Sequence, residues 1–251
     1  MLKTSFVADL EYRANYITRL MVDMIWYAAQ ITVFETLYRH THRIGELNRD
    51  QSRVFLGILF VVDALYMIFF SENLDHFSEK VSKGDLDLIL SKPVSSQFLA
   101  SMQKANTAIL GNLLFGLCWW TWSLWKIPDL SWIQFFMCLV LILCGVLISY
   151  SIRILLASTS IRFTRSENLQ YLYWQIYKLG MRPDSIYPQA LRWALATVLP
   201  MALLASLPTS ILLGLAGWRS FLSAIFVSGF FVWFSHQVWQ AALKHYSSSS
   251  S

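Results

Sequence analysis

The sequence predicts an all-α, polytopic membrane protein with about six transmembrane helices. Of its 251 residues, 56% are hydrophobic and only 14% are charged, against about a quarter charged in a typical soluble domain. Mean hydropathy is +0.47, and several apolar stretches approach the ~20 residues that cross a bilayer core. The 11 tryptophans and 11 tyrosines suit the aromatic belts at membrane interfaces. We interpret residues 1–246 as one transmembrane domain and the serine run 247–251 as a linker or tag remnant.

Residues 1–20 predict an amphipathic helix that lies on the membrane surface. Its apolar residues recur at every third or fourth position: Leu2, Phe6, Leu10, Ala14, Ile17 and Leu20. Charged residues occupy the other faces, a pattern typical of interfacial helices. An amphipathic helix packed on protein is the alternative. We expect no cleavable signal peptide here, because the segment lacks an apolar core and a small-residue cleavage site.

Five apolar segments are predicted to span the membrane wherever the remaining span is placed. They are Met21–Tyr38, Val54–Asn73, Phe98–Trp122, Trp132–Ala157 and Ser220–Leu243. With the N-terminus inside, the cytoplasmic segments hold 12 of the 20 Lys and Arg residues, the outer segments hold six, and two lie within spans. This bias favours a cytoplasmic N-terminus. The four arginines of the first outer loop, residues 39–53, oppose it.

The sequence leaves two alternatives for the fifth span. In the first, Trp193–Gly217 crosses the membrane after an amphipathic cytoplasmic helix. In the second, Ser166–Met181 is a short polar span, and Arg182–Gly217, interrupted by four prolines, enters the outer leaflet and returns. Broken backbone at membrane depth needs protein or a water-filled cavity around it. The second alternative also changes the Lys and Arg count to nine on each side, which removes the orientation signal.

A polar loop over residues 78–97 separates the second and third spans. Its centre predicts a short helix with Leu86, Ile89 and Leu90 on one side, and Pro93 ends that helix. A surface helix between two spans suits contact with a partner outside the membrane. A loop that only turns the chain is the alternative, and the apolar residues then pack under the spans.

Three charged residues fall inside the predicted spans: Asp63, Lys104 and Arg153. At 1.5 Å per residue, Asp63 lies about 13 Å into the second span and Lys104 about 9 Å into the third. A charge at mid-membrane costs at least ~2.5–3.5 kcal/mol, so such groups usually pair or face water. We therefore predict that Asp63 faces the bundle interior or a subunit interface, with Lys104 or Arg153 as its partner. A structural ion pair, or a protonated Asp63, is the alternative.

The sequence shows no pattern typical of catalysis or of cofactor binding. It has no G-x-x-x-x-G-K-[S/T] phosphate loop, no H-E-x-x-H motif and no G-x-S-x-G nucleophile elbow. Cys118, Cys138 and Cys144 lie in apolar runs without metal-ligand spacing, which predicts packing roles. We predict no catalytic residue, no metal site and no cofactor in this chain. Any energy from ATP hydrolysis would come from a partner.

Two motifs give the chain a family resemblance. The first begins at Gly84 and reads GDLDLILSKPVS. The second begins at Arg182 and reads RPDSIYP, followed by LPMA from Leu199 and LP at Leu207. Both motifs, in this order and with this spacing, resemble the signatures of type-2 ABC transporter permeases of the bacterial ABC-2 branch. The resemblance extends over nearly the whole chain.

The resemblance implies six spans in the inner membrane, with both termini cytoplasmic and no ATPase domain. It implies a coupling helix around Gly84 that docks on a separate ATPase subunit. The residues that we assign to this docking are Lys83, Gly84, Asp85, Leu86, Asp87, Ile89 and Leu90. It also favours the second placement of the fifth span.

The function expected from the resemblance is that of the permease subunit of an ATP-binding cassette exporter. Two ATPase subunits, which would bind ATP and Mg²⁺, and a second permease chain, identical or different, are the expected partners. We expect no nucleic-acid partner, because the net charge of +5 is modest and spread over loops. A membrane scaffold that recruits a cytoplasmic partner without transport is the alternative.

Overall fold

The computed structural model describes residues 13–128, 130–162 and 169–246, and the elements in these ranges are helical. The helices are α1 (Arg13–His40), α2 (Arg49–Tyr66), α3 (Glu72–Leu74), α4 (Phe77–Ser82), α5 (Asp85–Leu90), α6 (Ser96–Met102), α7 (Leu110–Leu124), α8 (Trp132–Arg162), α9 (Leu169–Gly180), α10 (Gln189–Thr197), α11 (Ser206–Leu212) and α12 (Trp218–Lys244). A π-helical segment, Met67–Ser71, joins α2 to α3. Short 3₁₀ turns occupy Thr107–Ile109, Asp184–Ile186 and Met201–Leu203.

Among the described helices, α8 packs extensively against α12, and α2 packs extensively against α7. In the described ranges, three helical stretches are long and apolar enough to cross a membrane by themselves, namely Arg49–Ser82, Trp132–Ile161 and Trp218–Lys244. The prediction of an all-α membrane protein is confirmed. The helix α5 lies at one end of the bundle, which we call the α5 end, together with the last turns of α8 and α12.

The described part of the predicted interfacial helix belongs to the first long helix. Residues 13–20 continue without a break into α1, so they do not form a separate surface helix. No glycine or proline occurs there to end a helix. Residues 1–12 lie outside the described residues, as does the serine run 247–251.

The central helix is α2, which is buried along most of its length. Its Gly57 faces α7, where an added Cβ would stand 2.8 Å from the Cα of Trp120. Only a residue without a side chain allows the two backbones to come this close. One turn further along α2, Phe60 stacks on Tyr27 of α1 at a ring separation of 4.3 Å. The polar loop predicted before this helix is shorter than expected, because α2 already begins at Arg49.

Two of the four first-loop arginines that opposed the predicted orientation, Arg49 and Arg53, are paired with acids. The Nε of Arg53 donates to Glu35 of α1 at 2.6 Å, and its Nη1 donates to Asp50 at 2.7 Å. Arg49 pairs with the same Glu35. The guanidinium of Arg53 also lies 5.5 Å from the centre of the Trp122 ring. The charges of these two arginines are therefore offset locally by Glu35 and Asp50.

The third predicted span, Phe98–Trp122, is not one helix. It consists of α6, an irregular stretch over residues 103–106, and α7. Polar groups of α2 and its extension stabilise the break: Asn73 exchanges two hydrogen bonds with the backbone of Lys104, at 2.7 and 2.9 Å. The N–H of Asn106 donates to the carbonyl of Ile68 at 2.9 Å. The π-helical segment leaves that carbonyl accessible, so the backbone of the break is satisfied.

The structure contradicts the first of the two alternatives for the fifth span, and the second stays a prediction. A continuous helix over Trp193–Gly217 is wrong, because the described chain there divides into α10, a 3₁₀ turn and α11. The helix α9, Leu169–Gly180, lies in the bundle instead, with Tyr173 and Tyr177 fully buried. Residues 163–168, where the second alternative begins its span, lie outside the described residues.

Residues 182–217 pack at the end of the bundle opposite to α5, which we call the far end. There Glu46, in the loop between α1 and α2, donates its backbone N–H to Ser185 at 3.1 Å and accepts from Arg192 at 2.8 Å. The α1–α2 loop thus contacts part of the broken segment, and its 3₁₀ turn Met201–Leu203 is buried in the bundle. The location of the broken segment in the outer leaflet stays a prediction.

Candidate functional site

The helix α5 carries most of the residues predicted to dock on a partner. Gly84 precedes it with a φ of 79°, in the left-handed region that disfavours side chains by about 1–2 kcal/mol. This glycine reverses the chain between α4 and α5. Asp85 and Asp87 lie in the first turn of α5, where carboxylates interact favourably with the helix dipole. The local sequence thus favours a short helix that begins at this position.

The inner face of α5 is buried against the rest of the bundle. Leu86 is fully buried and Ile89 is 6% exposed. They pack in one cluster with Phe77 of α4, Ile154 of α8 and Trp239 of α12. Two of the residues predicted to dock therefore contact the bundle itself, as the packing alternative expects.

The outer face of α5 and the residues after it form an exposed surface. We call it the α5 surface, and it consists of Lys83, Asp85, Leu88, Leu90, Lys92 and Val94. Leu88 is 66% exposed, and Val94 is 51% exposed. Sequence reasoning missed both, because the run DLDLIL is apolar on more than one side and its spacing favoured the stripe through Leu86 and Ile89.

Charged groups flank the apolar residues of the α5 surface. The Nζ of Lys83 donates to Glu79 at 2.7 Å, and this hydrogen bond raises the pKa of Lys83. On the inner side, Asp87 lies beside the hydroxyl of Tyr246. Burial raises the pKa of Tyr246, and the adjacent carboxylate raises it further. The surface therefore presents leucine and valine side chains between charges of both signs.

Hydrogen bonds connect the base of the α5 surface to two long helices. Gln97 of α6 donates to the hydroxyl of Tyr150 on α8 at 2.9 Å, and its other amide atom lies 2.7 Å from Nδ1 of His236 on α12. The indole of Trp239 donates to Ser96 at 3.2 Å. These hydrogen bonds join α6, which follows the α5 surface, to α8 and α12.

A buried arginine of the bundle pairs with a partly buried aspartate. Arg153 of α8 is 4% exposed and forms a salt bridge with Asp75, in the turn between α3 and α4. Its guanidinium lies 3.9 Å from the centre of the Tyr173 ring on α9. Asp75 was not singled out from the sequence, because it follows the predicted span and resembles a loop residue.

Asp63 has tyrosines, not cations, as its partners. The hydroxyl of Tyr177 on α9 donates to its carboxylate at 2.7 Å, and that of Tyr27 on α1 lies at 3.4 Å. Asp63 is 6% exposed inside the bundle. The predicted pairing with Lys104 or Arg153 is wrong. Lys104 is exposed in the break before α7, and Arg153 forms its salt bridge with Asp75.

A large groove lies between α1 and α9, and we call it the α1–α9 groove. Its volume is about 880 Å³, which falls in the range of small-molecule sites. Side chains of α1, α9 and the turn after α9 line it, among them Trp26, Phe34, Trp174 and Lys178. Asp63 lies behind it, since its partners Tyr27 and Tyr177 come from the two walls.

The described ranges contain no group of three or more His, Cys, Asp or Glu side chains that could hold a metal ion.

Long apolar helices, charges paired in the interior and an anchored surface helix define an integral membrane protein. Residues 24–250 match the family model described as "ABC-2 family transporter protein". The chain therefore belongs to the ABC-2 family of transporter proteins, as its resemblance to type-2 permeases implied. No curated protein and no solved structure matches it.

Proposed function

We propose that this chain is the permease subunit of an ATP-driven exporter. It would form the substrate path with a second permease chain, identical or different, and dock on two separate ATPase subunits that bind ATP and Mg²⁺. We place it in the inner membrane with both termini in the cytoplasm. Family membership supports the permease role.

The proposal that α5 docks on the ATPase rests on one observation: the inner face of α5 is buried, and its outer face is exposed. Its inner face is buried on α4, α8 and α12, and its outer face exposes Leu88 and Leu90. Exposed leucines flanked by charges suit a protein interface, in which the apolar centre contributes affinity and the charged rim contributes specificity. The same anchoring would let α5 move with the spans as a rigid body.

The substrate path is best supported along the α1–α9 groove. It has a volume of about 880 Å³, and side chains of α1 and α9 line it. A second permease chain facing these two helices would enclose it. The Asp63 contacts tie the two walls together, so a change in the spacing of α1 and α9 would alter the groove.

Co-purification with an ATPase tests the docking proposal. The full chain is co-expressed with a candidate ATP-binding subunit, and both recovery of the ATPase and its hydrolysis rate are measured. We expect the Leu88→Glu/Val94→Glu variant to lose the ATPase. The matched control is Leu215→Glu at the far end, where the leucine is 49% exposed, and it should retain the ATPase.

Undiminished recovery and hydrolysis in the α5 variant would refute docking at this surface. The scaffold alternative predicts a different result: a cytoplasmic partner would be recruited through α5, with no change in any ATPase rate. Folding of each variant is checked by its elution as a single species in detergent.

A further inference from the structure

The charged residues that line the α1–α9 groove lie at one of its ends. On the α1 side it extends from Trp26 to Leu37, about 16 Å at the helical rise. Trp26 and Trp174 lie at its inner part, toward the middle of the bundle. Lys178 lies one turn beyond Trp174 on α9, toward the far end, and Arg182 follows it. The two tryptophans thus lie in the inner part of the groove, next to Gln30 and Gln175, and the outer part holds both cations among apolar side chains such as Phe34.

The charged residues that line the groove are all of one sign. Lys178 and Arg182 are both exposed, and no aspartate or glutamate lines the groove with them. Neither forms a salt bridge with a carboxylate in the described part of the chain. In contrast, Arg192, at the same end, pairs with Glu46 and Asp184 at 2.8 and 3.1 Å. The two cations of the groove are therefore available to a ligand.

We propose that the cargo of this permease is an anionic amphiphile, whose acidic head group binds Lys178 and Arg182 and whose apolar chain lies along Trp26 and Trp174. This inference rests on the proposed function, because it takes the groove as part of the substrate path. An arginine and a lysine make strong charge-assisted hydrogen bonds to a carboxylate or phosphate. The tryptophans supply large apolar surfaces for the chain.

The same two charges disfavour a cationic cargo of similar shape. Indole rings attract cations, but a cationic head near the rim would meet two positive side chains with no acid beside them. The charge arrangement, rather than the volume, therefore decides the class of ligand. Neutral amphiphiles would lose the head-group contacts and keep only the apolar ones.

Binding to the purified full chain tests the proposal without any ATPase. The chain is placed in phosphatidylcholine nanodiscs and titrated calorimetrically with dodecyl phosphate or with dodecyltrimethylammonium, each below its micellar concentration. Empty nanodiscs give the contribution of partition into lipid. We expect saturable binding of dodecyl phosphate, at least about tenfold tighter than binding of the cation, since one charge-assisted contact corresponds to roughly a factor of ten.

The variant Lys178→Gln/Arg182→Gln should weaken dodecyl phosphate binding by about tenfold or more. The matched control is Lys126→Gln/Arg219→Gln, which removes two far-end cations that do not line the groove. It should bind as the unmodified chain does. Equal affinity for the two amphiphiles, tighter binding of the cation, or no effect of the groove variant would each overturn the proposal.

Phosphatidylglycerol in the nanodisc distinguishes a cargo from a resident lipid. If this lipid abolishes dodecyl phosphate binding, the groove holds a membrane lipid and the cargo proposal is overturned; persistent binding supports it. A failed binding experiment leaves ATPase docking at α5 unaffected. A failed co-purification would overturn the proposed function independently of what the groove binds.

Discussion

Truncation of Leu88 to alanine is the most direct quantitative test of the α5 surface. Leu88 is 66% exposed, and complete burial of a leucine side chain contributes about 1.5–3 kcal/mol. If the ATPase covers the exposed part of this side chain, the contact contributes about 1–2 kcal/mol. Its loss should weaken binding by about five- to thirtyfold.

In the assay, the chain in nanodiscs is titrated with the purified ATPase subunit, and biolayer interferometry measures the binding affinity. Leu114→Ala is the matched control, because Leu114 on α7 is similarly exposed at 64% but lies away from α5. Leu86→Ala serves as a second comparison. Leu86 is fully buried, so its truncation should lower the stability of the chain by about 2–5 kcal/mol.

The three variants separate docking from folding. Leu88→Ala should change affinity without changing the melting temperature, whereas Leu86→Ala should lower the melting temperature. If Leu88→Ala binds the ATPase as tightly as Leu114→Ala does, the exposed face of α5 is not covered by the ATPase. The assignment of the contact surface would then be refuted, although α5 would keep its anchoring role.

Three further changes test the interior and the turn before α5. Arg153→Gln leaves the carboxylate of Asp75 without its cation and should cost on the order of 3 kcal/mol, lowering the melting temperature by roughly 6–12 °C. Tyr177→Phe removes the 2.7 Å hydrogen bond to Asp63 and should cost about 1–3 kcal/mol, which urea unfolding in detergent would measure. Gly84→Ala strains a residue with a φ of 79° and should cost about 1–2 kcal/mol, detected as a lower melting temperature.

Conservative variants provide the controls for these changes. Arg153→Lys keeps the charge and should recover part of the stability that Arg153→Gln loses. Tyr171→Phe lies on the same helix as Tyr177 at an exposed position, so it should leave stability unchanged. Gly217→Ala meets open space and should be tolerated. An unchanged melting temperature for Arg153→Gln would mean that its pair with Asp75 contributes nothing to stability.

The sequence was most informative where one property extends over many residues. Runs of apolar residues identified a helical membrane protein, and the motif from Gly84 located α5. Both signals are local, because membrane insertion depends on summed hydrophobicity and a turn depends on a few neighbouring residues. Boundaries were less accurate. The polar stretch over residues 103–106 interrupts the third predicted span, where an average over hydropathy had concealed it.

Partners and exposure needed the tertiary structure. The sequence placed Asp63, Lys104 and Arg153 at membrane depth, but their partners come from distant parts of the chain: Tyr177 is 114 residues from Asp63. A hydrogen bond forms only when its donor and acceptor lie within a narrow range of distances, and the packing of the helices sets that distance. The periodicity of residues along one helix does not contain this information.

By itself, the sequence determined that this protein is helical, spans a membrane and carries a short amphipathic helix between two of its spans. Only the tertiary structure decided which side of that helix packs on the bundle. It also decided that α9 lies in the bundle and where the α1–α9 groove lies. The physical reason is that hydrophobicity is a property of segments, whereas burial on α5 and the α1–α9 groove result from how several segments pack together.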